Sequence, residues 1–390
     1  MHTSVVILSY RPGAWLADAV ASVVDRADEV LVVDNGSEGA EASGIARRAG
    51  AEVVRSETNR GFTGGVNLGV ARARGEVVGL LNDDAVAGPD WLGAATARLA
   101  DPGVAAVAPR VLLAGTWREV VLGDDDRLVP GDPRPLGRMV RSVTVDGAEV
   151  LAEAIGAGLH PLEGDGDDRW RWTAGRRPWY VRAGPEATVR IDDQVAPEGP
   201  TVRLINSAGL YLRPDGYAGD IGLGAPDDGR FDHRADRFAL SGTALAFRAA
   251  TWRRLGALAG PYFAYYEDVD WCWRAGLAGM RLVYDPAASV DHLGGATSGG
   301  ATDPRVRVLA ERNRTLSMVR NGPWDQVRPA LGARWREGAD GGVRTGVARR
   351  LPWALATRVT SLPHRRRHPA DLWTRWAGVD TTWDTRPCSR

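Results

Sequence analysis

The sequence predicts an α/β protein whose centre is a mostly parallel sheet flanked by helices, and three observations carry that expectation. Short β-branched apolar runs alternate with segments of helical spacing over the first 113 residues, the pattern that parallel sheets with crossover helices produce. Each run is apolar along most of its length, as a strand covered on both faces must be. Polar clusters stand where the runs stop, and in such sheets ligands sit at the carboxyl ends of the strands.

Thr3–Ser9 reads as the first buried strand, stopped by Tyr10-Arg-Pro-Gly13. Residues 15–24 have helical spacing, 29–33 form a second strand ending in Asp34-Asn-Gly-Ser37, and 41–49 a second helix. Strand 52–55, a loop Asn59-Arg-Gly-Phe-Thr-Gly-Gly65, helix 66–73 and strand 77–81 follow, the last running into Asn82-Asp-Asp84. Helix Trp91–Leu99 and strand 104–113, interrupted by Pro109, close this half. Each polar cluster taken singly is ordinary turn chemistry. Four on one sheet edge (Ser9-Tyr10, Asp34-Asn35, Asn59-Arg60-Gly61 and Asn82-Asp83-Asp84) point to a ligand site.

Residues 114–236 lose helical periodicity and gain Asp-Gly and Pro-Gly turns, with strand candidates at 139–145, 170–173, 179–182, 188–191 and 201–205. This reads as a β-rich insertion. Its acidic runs, Asp124-Asp-Asp126 and Asp165-Gly-Asp-Asp168, lack calcium-loop spacing and read as solvated loops. Alternation resumes at 238–247, a strand broken by Gly242, then helix Ala249–Leu255, a helix over 269–275, strand 281–284, a second run at 290–292 ending on His292, and helix 306–318. The segment 321–390 is rich in Arg and Trp, a mixture that suits either a membrane surface or a helical subdomain packing its tryptophans inward.

Composition narrows the classes. The 390 residues carry 49 arginines, no lysine and 49 acidic residues, so the formal net charge is zero. From residue 301 onward the balance is 18 Arg against 8 acidic, a basic tail on an acidic body. With no lysine a P-loop is excluded, and no Gly-x-Gly-x-x-Gly follows the first strand, which disfavours a dinucleotide fold. No RNA-binding signature accompanies the arginines, so no nucleic-acid partner is expected. Cys272 and Cys388 are too far apart for a zinc or disulfide framework, no apolar run approaches the ~18 residues of a membrane span, and no basic leader precedes the first strand. A cytoplasmic protein, with the inner face of the membrane as an option, is the expectation.

The densest chemistry lies in Tyr262-Phe-Ala-Tyr-Tyr-Glu-Asp-Val-Asp-Trp-Cys-Trp-Arg274. Glu267, Asp268 and Asp270 stand between aromatic flanks, and carboxylates against apolar walls are candidates for altered proton affinity. Trp271 and Trp273 suit either a sugar-stacking wall or the core. Arg274 sits at helical i,i+4 spacing from Asp270, a structural pairing.

Seven segments in order resemble the family-2 inverting glycosyltransferases of the GT-A fold, in particular bacterial rhamnosyl- and galactofuranosyltransferase-like members. They are Val5-Val-Ile-Leu-Ser-Tyr10, Val32-Val-Asp-Asn-Gly-Ser37, Asn59-Arg-Gly-Phe-Thr-Gly-Gly-Val-Asn67, Leu81-Asn-Asp-Asp84, Tyr265-Tyr-Glu-Asp-Val-Asp-Trp-Cys-Trp-Arg274, His292 and Glu311-Arg-Asn313. The resemblance spans residues 3–113 and 237–320. It implies a GT-A sheet with a β-rich insertion and a helical C-terminal region, divided as 1–113 (nucleotide-sugar half), 114–236 (insertion), 237–320 (acceptor and catalytic half) and 321–390 (basic helical region).

It also implies roles. Asp34 is similar to the carboxylate that hydrogen-bonds a pyrimidine ring, with Ser9, Tyr10, Arg60, Gly61, Asn67, Asn82 and Asp83 as further nucleotide-sugar contacts. Asp84 and His292 resemble ligands of Mg²⁺ or Mn²⁺ bridging the diphosphate, with Asn82 replacing the first carboxylate of the family's Asp-x-Asp. Asp268 resembles the general base, supported by Glu267. The implied reaction is transfer from dTDP-rhamnose or a UDP-sugar to a cell-envelope glycan or lipid-linked acceptor. Two other classes share part of this residue pattern. A nucleotidyltransferase would carry a Gly-rich, basic activation loop, for which there is only Ser9-Tyr-Arg-Pro-Gly13. A non-catalytic glycan-binding protein would rest on the insertion and its Trp170, Trp172 and Trp179, which also suggest acceptor recognition.

Overall fold

The computed structural model describes residues 1–123, 125–294, 303–336 and 341–378. The described chain packs as two compact units. Among the described residues one comprises 1–111, 207–221 and 232–378, and the other 112–206 and 222–231.

In the first unit β1 (Thr3–Ser9), α1 (Trp15–Ala21), β2 (Glu29–Asn35), α2 (Glu41–Arg48), β3 (Glu52–Ser56), α3 (Gly61–Arg72), β4 (Val77–Asn82), β5 (Ala85–Ala87), α4 (Trp91–Leu99) and the first residues, 104–111, of β6 (Val104–Val120) follow one another. The order β3-β2-β1-β4 is parallel throughout. Strand Ala244–Arg248, which leads into α5 (Ala249–Leu255), then joins β4 antiparallel and is followed in the sheet by β6, Arg281–His292 and Ala235–Asp236. The fold class is as expected: a mostly parallel sheet flanked by helices, parallel over β3-β2-β1-β4, with antiparallel strands added by the second half of the chain. Val5, Ile7, Leu31, Val32 and Val33 are fully buried, because helices cover both faces.

Helix α3 starts five residues earlier than its periodicity suggests. The glycines that read as a loop are there for close packing. A Cβ on Gly65 would lie 2.2 Å from Leu8 Cδ1, and one on Gly69 2.4 Å from Val6 Cγ1, so bare backbone lets α3 rest on β1. The expected strand over 238–247 is also shorter. Only Ala244–Arg248 is strand, while the segment before it wraps α6 (Glu267–Leu277), with the Leu240 N–H donating to Cys272 Sγ. Strand Arg281–His292 is continuous where two runs were expected.

The tryptophans of α6 belong to the core. Trp271 packs against Trp252 and Phe247 at 5.6 Å between ring centroids, and Trp273 lies edge-on to Phe238 at 5.3 Å. Neither has a face free for a sugar. Helices α7 (Pro304–Asn321), α8 (Trp324–Arg336), α9 (Gly341–Thr360) and α10 (Pro369–Trp376) complete the unit. Some of their tryptophans turn inward, as Trp373 does, whereas Trp324 and Trp335 stay exposed. Trp383 and Cys388 lie outside the described residues.

The second unit is β-rich. Its four-stranded sheet runs Ala148–Glu149, Val143–Val145, Val189–Ile191, Gln194–Val195, and a three-stranded one holds Glu163–Asp165, Asp168–Trp172 and Met139–Val140. Trp179 is fully buried in its core with Val120 and Val181, so it is unavailable to an acceptor. Asp125 and Asp168 are exposed and pair with Arg176 and Arg141.

Candidate active site

Strand register assembles the edge of the sheet at the carboxyl ends of its parallel strands. In the parallel pairings Ser9 stands beside Asp34, and Leu8 beside Asn82, so the ends of β1, β2 and β4 converge. The Ser9 hydroxyl donates to Asp83 Oδ2 at 2.6 Å. Burial pushes the Asp83 carboxyl up to about 7, partly offset by that hydrogen bond and reinforced by the charge of Asp84. Asp84 and His292, 208 positions apart, meet because strand Arg281–His292 pairs with β5 and sets His292 opposite Ala85. Asp84 Oδ1 lies 3.1 Å from His292 Nε2, and Asn82 Nδ2 lies 3.5 Å from the same nitrogen.

One oxygen and one nitrogen donor, both nearly buried on one cavity wall, suit Mn²⁺ or Mg²⁺. Among the described residues no group of three His, Cys, Asp or Glu side chains forms a closed cation site. A cation here would therefore be completed by phosphate oxygens and water, as an open site requires.

The other wall is α6. Its N-terminus follows a strained aromatic turn in which Phe263, Tyr265 and Tyr266 all have φ between 67° and 70°. Such positions are costly for side-chain-bearing residues and persist only when their surroundings hold them. Here α7 does the holding: the Asn313 amide donates to the carbonyls of Tyr262, Ala264 and Tyr265, and Arg312 donates to Tyr262. Gly61, at φ 69°, comes so close that a Cβ would lie 2.4 Å from the Phe263 carbonyl oxygen, while the Thr63 N–H donates to that oxygen at 3.1 Å.

Asp268 accepts the Gly242 N–H on Oδ2 at 2.9 Å and the Val269 N–H on Oδ1 at 2.7 Å. Burial raises its carboxyl to about 6 against these two hydrogen bonds, with Asp220 adding a like charge. Glu267 is 6% exposed, and its Oε2 has no hydrogen-bond partner. Burial, then Asp268 and Asp270, push its carboxyl well above the usual range. Asp270 behaves oppositely. Although fully buried, it forms ion pairs with Arg320 and Arg274 and accepts hydrogen bonds from Arg274 and Asn321, which hold its carboxyl below the usual value. It ties α6 to α7 rather than tuning Asp268; the like charge on Asp268 comes from Asp220.

Both walls line one cavity of about 530 Å³. Of the residues singled out in the sequence, Tyr10, Gly61, Asn82, Asp83, Asp84, Glu267, Asp268 and His292 line it. Ser9 acts through Asp83. Asp34 is fully buried behind the edge, accepting from Ser37, Ser43 and Arg55, and these contacts and the Arg55 charge outweigh burial to keep its carboxyl low. Arg60 turns to Ser56, and both ends of the Asn67 amide bind the backbone of Leu258. Neither Arg60 nor Asn67 reaches the cavity.

Sequence reasoning placed Asn35 in a polar cluster without giving it a role, and it missed Gly242 and Asp220 as neighbours of Asp268. Asn35 lines the cavity and clamps Asn59, Arg60 and Gly61. The glycine break at 242 was visible, but its partner Asp268 was not. Asp220 ends strand Ala218–Asp220, in a hairpin within the stretch read as insertion.

Residues 4–118 match the family model described as glycosyl transferase family 2. No curated protein matches the chain. Among solved structures, GalNAc-T7 with UDP, GalNAc and Mn²⁺ aligns at TM-score 0.52 and 12% identity, over 96% of this chain. The chain spans 58% of the length of that structure. The mannosyltransferase PcManGT from Pyrobaculum calidifontis, with GDP-Man and Mn²⁺, aligns at TM-score 0.40 and 16% identity, over 93% of this chain and 74% of its own. Residues 1–349 of S. aureus TarS with UDP-GlcNAc align at TM-score 0.41 and 13% identity, over 93% and 82%. The fold is thus that of the GT-A class. Over residues 4–118 the chain carries, in particular, a glycosyltransferase domain of family 2.

Proposed function

We propose that the protein is an inverting glycosyltransferase that moves a sugar from a nucleotide sugar to an acceptor hydroxyl, with Asp268 as general base. One observation carries the reading: a carboxylate with raised proton affinity shares a cavity with the Asp84 and His292 pair. A single displacement needs a base on the acceptor side and charge stabilisation on the diphosphate side.

In that displacement the acceptor oxygen bonds the anomeric carbon, the carbon–phosphate oxygen bond breaks, and the hydroxyl proton passes to Asp268. The nucleoside diphosphate leaves. The Gly242 and Val269 N–H groups fix the orientation of the carboxylate, each occupying one lone pair and leaving others for the proton. Asp84 and His292 would hold Mn²⁺ or Mg²⁺ at the diphosphate, where the ion supplies positive charge to the leaving group.

The donor is a pyrimidine-nucleotide sugar (dTDP-rhamnose or a UDP-sugar) and the acceptor a cell-envelope glycan or lipid-linked sugar. This finer reading rests on the likeness of Val32-Val-Asp-Asn-Gly-Ser37 and the acidic-aromatic stretch to the family pattern. With Asp34 committed to Ser37, Ser43 and Arg55, Asn35 is the residue of that segment standing at the cavity. A panel of nucleotide sugars, assayed for hydrolysis and transfer, with the product anomer read by NMR, tests donor and stereochemistry together. Turnover of purine donors alone, or a retained anomeric configuration, overturns the reading.

A further inference from the structure

Away from the catalytic cavity, α8, α9 and the segment leading into α10 enclose a second groove of about 570 Å³. Its apolar side is Trp324, Val359 and Leu362, which are 41%, 64% and 53% exposed. Leu355, Val359 and Leu362 are spaced i, i+4, i+7, so one stripe of α9 and the following turn faces solvent with apolar side chains. Soluble proteins seldom leave such side chains clustered without a use for them.

The polar side of the groove is cationic: Arg358, Arg365, Arg366 and Arg367 line it, and no Asp or Glu does. Among the described residues none of the four pairs with a carboxylate. Arg358 is 8% exposed, its guanidinium 4.3 Å from the centre of the Trp324 ring, and it donates only to the carbonyls of Val319 and Gly322. Arg365 donates to the Arg320 carbonyl and to Ser361. Burial, then the charges of Arg358 and Arg320, lower its guanidinium to about 10. The nearby Arg320 is already matched to Asp270. Partly buried cations that the fold leaves without counter-charge are expensive. An anion in the groove would supply it.

We propose that this groove docks the protein on an anionic lipid surface. Headgroup phosphates would sit against Arg365, Arg366 and Arg367, Trp324 would lie at the headgroup level, and Val359 and Leu362 would enter the acyl boundary. Tryptophan favours that interface, and arginines beside exposed apolar residues are what an interfacial helix presents to anionic lipid. A free phosphate or a nucleic acid would use the arginines but leave the apolar stripe in water. The lipid surface uses both.

The test is co-sedimentation of the full chain with zwitterionic vesicles and with vesicles containing phosphatidylglycerol, at low and high salt. Binding is expected to the anionic vesicles only and to weaken as salt rises. The double variant Arg366→Gln, Arg367→Gln should lower partitioning by roughly 30-fold, at about one factor of five per arginine. Val359→Ser with Leu362→Ser should lower it while leaving the charge unchanged. A circular-dichroism melt checks that both variants fold, and nucleotide-sugar binding should be unchanged in both. Equal binding to neutral vesicles, full competition by inorganic phosphate or a short RNA, or wild-type partitioning in either variant overturns the proposal.

Discussion

The backbone N–H of Gly242 donates to Asp268 Oδ2 at 2.9 Å, joining a residue of the segment that sequence periodicity assigns to a strand to the acidic stretch just before an expected helix. The contact orients the carboxylate that the proposed reaction uses. It also partly offsets the burial that raises its proton affinity.

Asp268→Asn should therefore abolish transfer while a nucleotide sugar still binds, as isothermal titration would report. In the wild type the base works ionised, so kcat/KM should fall as pH drops through about 6. Because burial disfavours the ionised form, the variant should melt no lower than wild type at neutral pH. Residual turnover near the wild-type rate would remove Asp268 from the mechanism.

Removing the His292 imidazole leaves Asp84 with fewer neighbouring donors. His292→Ala is expected to raise the Mn²⁺ concentration for half-maximal activity by roughly tenfold or more, a ligand loss being at least as costly as the loss of a supporting hydrogen bond. Chelator should silence the wild type, with Mn²⁺ restoring it. Full activity in excess chelator argues against the cation.

Asn313 touches no substrate in this arrangement, yet its amide holds three carbonyls of the strained turn before Glu267. Asn313→Leu should lower kcat by about 10²-fold, since small displacements of a reacting group are that costly. Nucleotide-sugar affinity should change much less. An equal loss in both would mean that the whole unit is disturbed.

The buried Asp270 offers a stability test. Asp270→Asn leaves Arg274 and Arg320 without their counter-charge, at a cost of about 3–5 kcal/mol in urea unfolding. Its carboxyl is held low in the folded state, so its stabilising contribution is present above the unfolded carboxylate range and is lost as pH falls through its folded value.

Glycine substitutions separate packing from propensity. Gly93→Ala, in α4 with open space around it, should stabilise by up to about 1 kcal/mol. Gly65→Ala should instead destabilise by about 1–3 kcal/mol, because the new methyl meets Leu8. Thermal melts of the pair decide it, and equal shifts would contradict the packing of α3 on β1.

The alternation of short apolar strands with helices, and the polar residues at their ends, are local properties of the chain. Strands β1–β4 and the cavity residues Asn82, Asp83, Asp84 and Asp268 were therefore legible from residue types and spacing. Asn67 and Arg60 carry the same polar signature, but they turn to Leu258 and Ser56. A side chain's partner depends on which distant segment packs beside it. The glycines of α3 misled for a related reason: a residue favoured in loops is also the one that permits close contact.

By itself the sequence determined an α/β sheet, a β-rich segment and a basic helical end, because hydrophobic periodicity and turn chemistry act over a few residues. Tertiary structure alone supplied the strand register that sets His292 against Asp84, brought Gly242 and Asp220 to Asp268, gave Asp34 to Arg55, and added Arg320 to the Asp270–Arg274 pair. Those outcomes follow from strand register and helix packing between segments up to about two hundred residues apart, and no local pattern records which lone pairs such packing brings together.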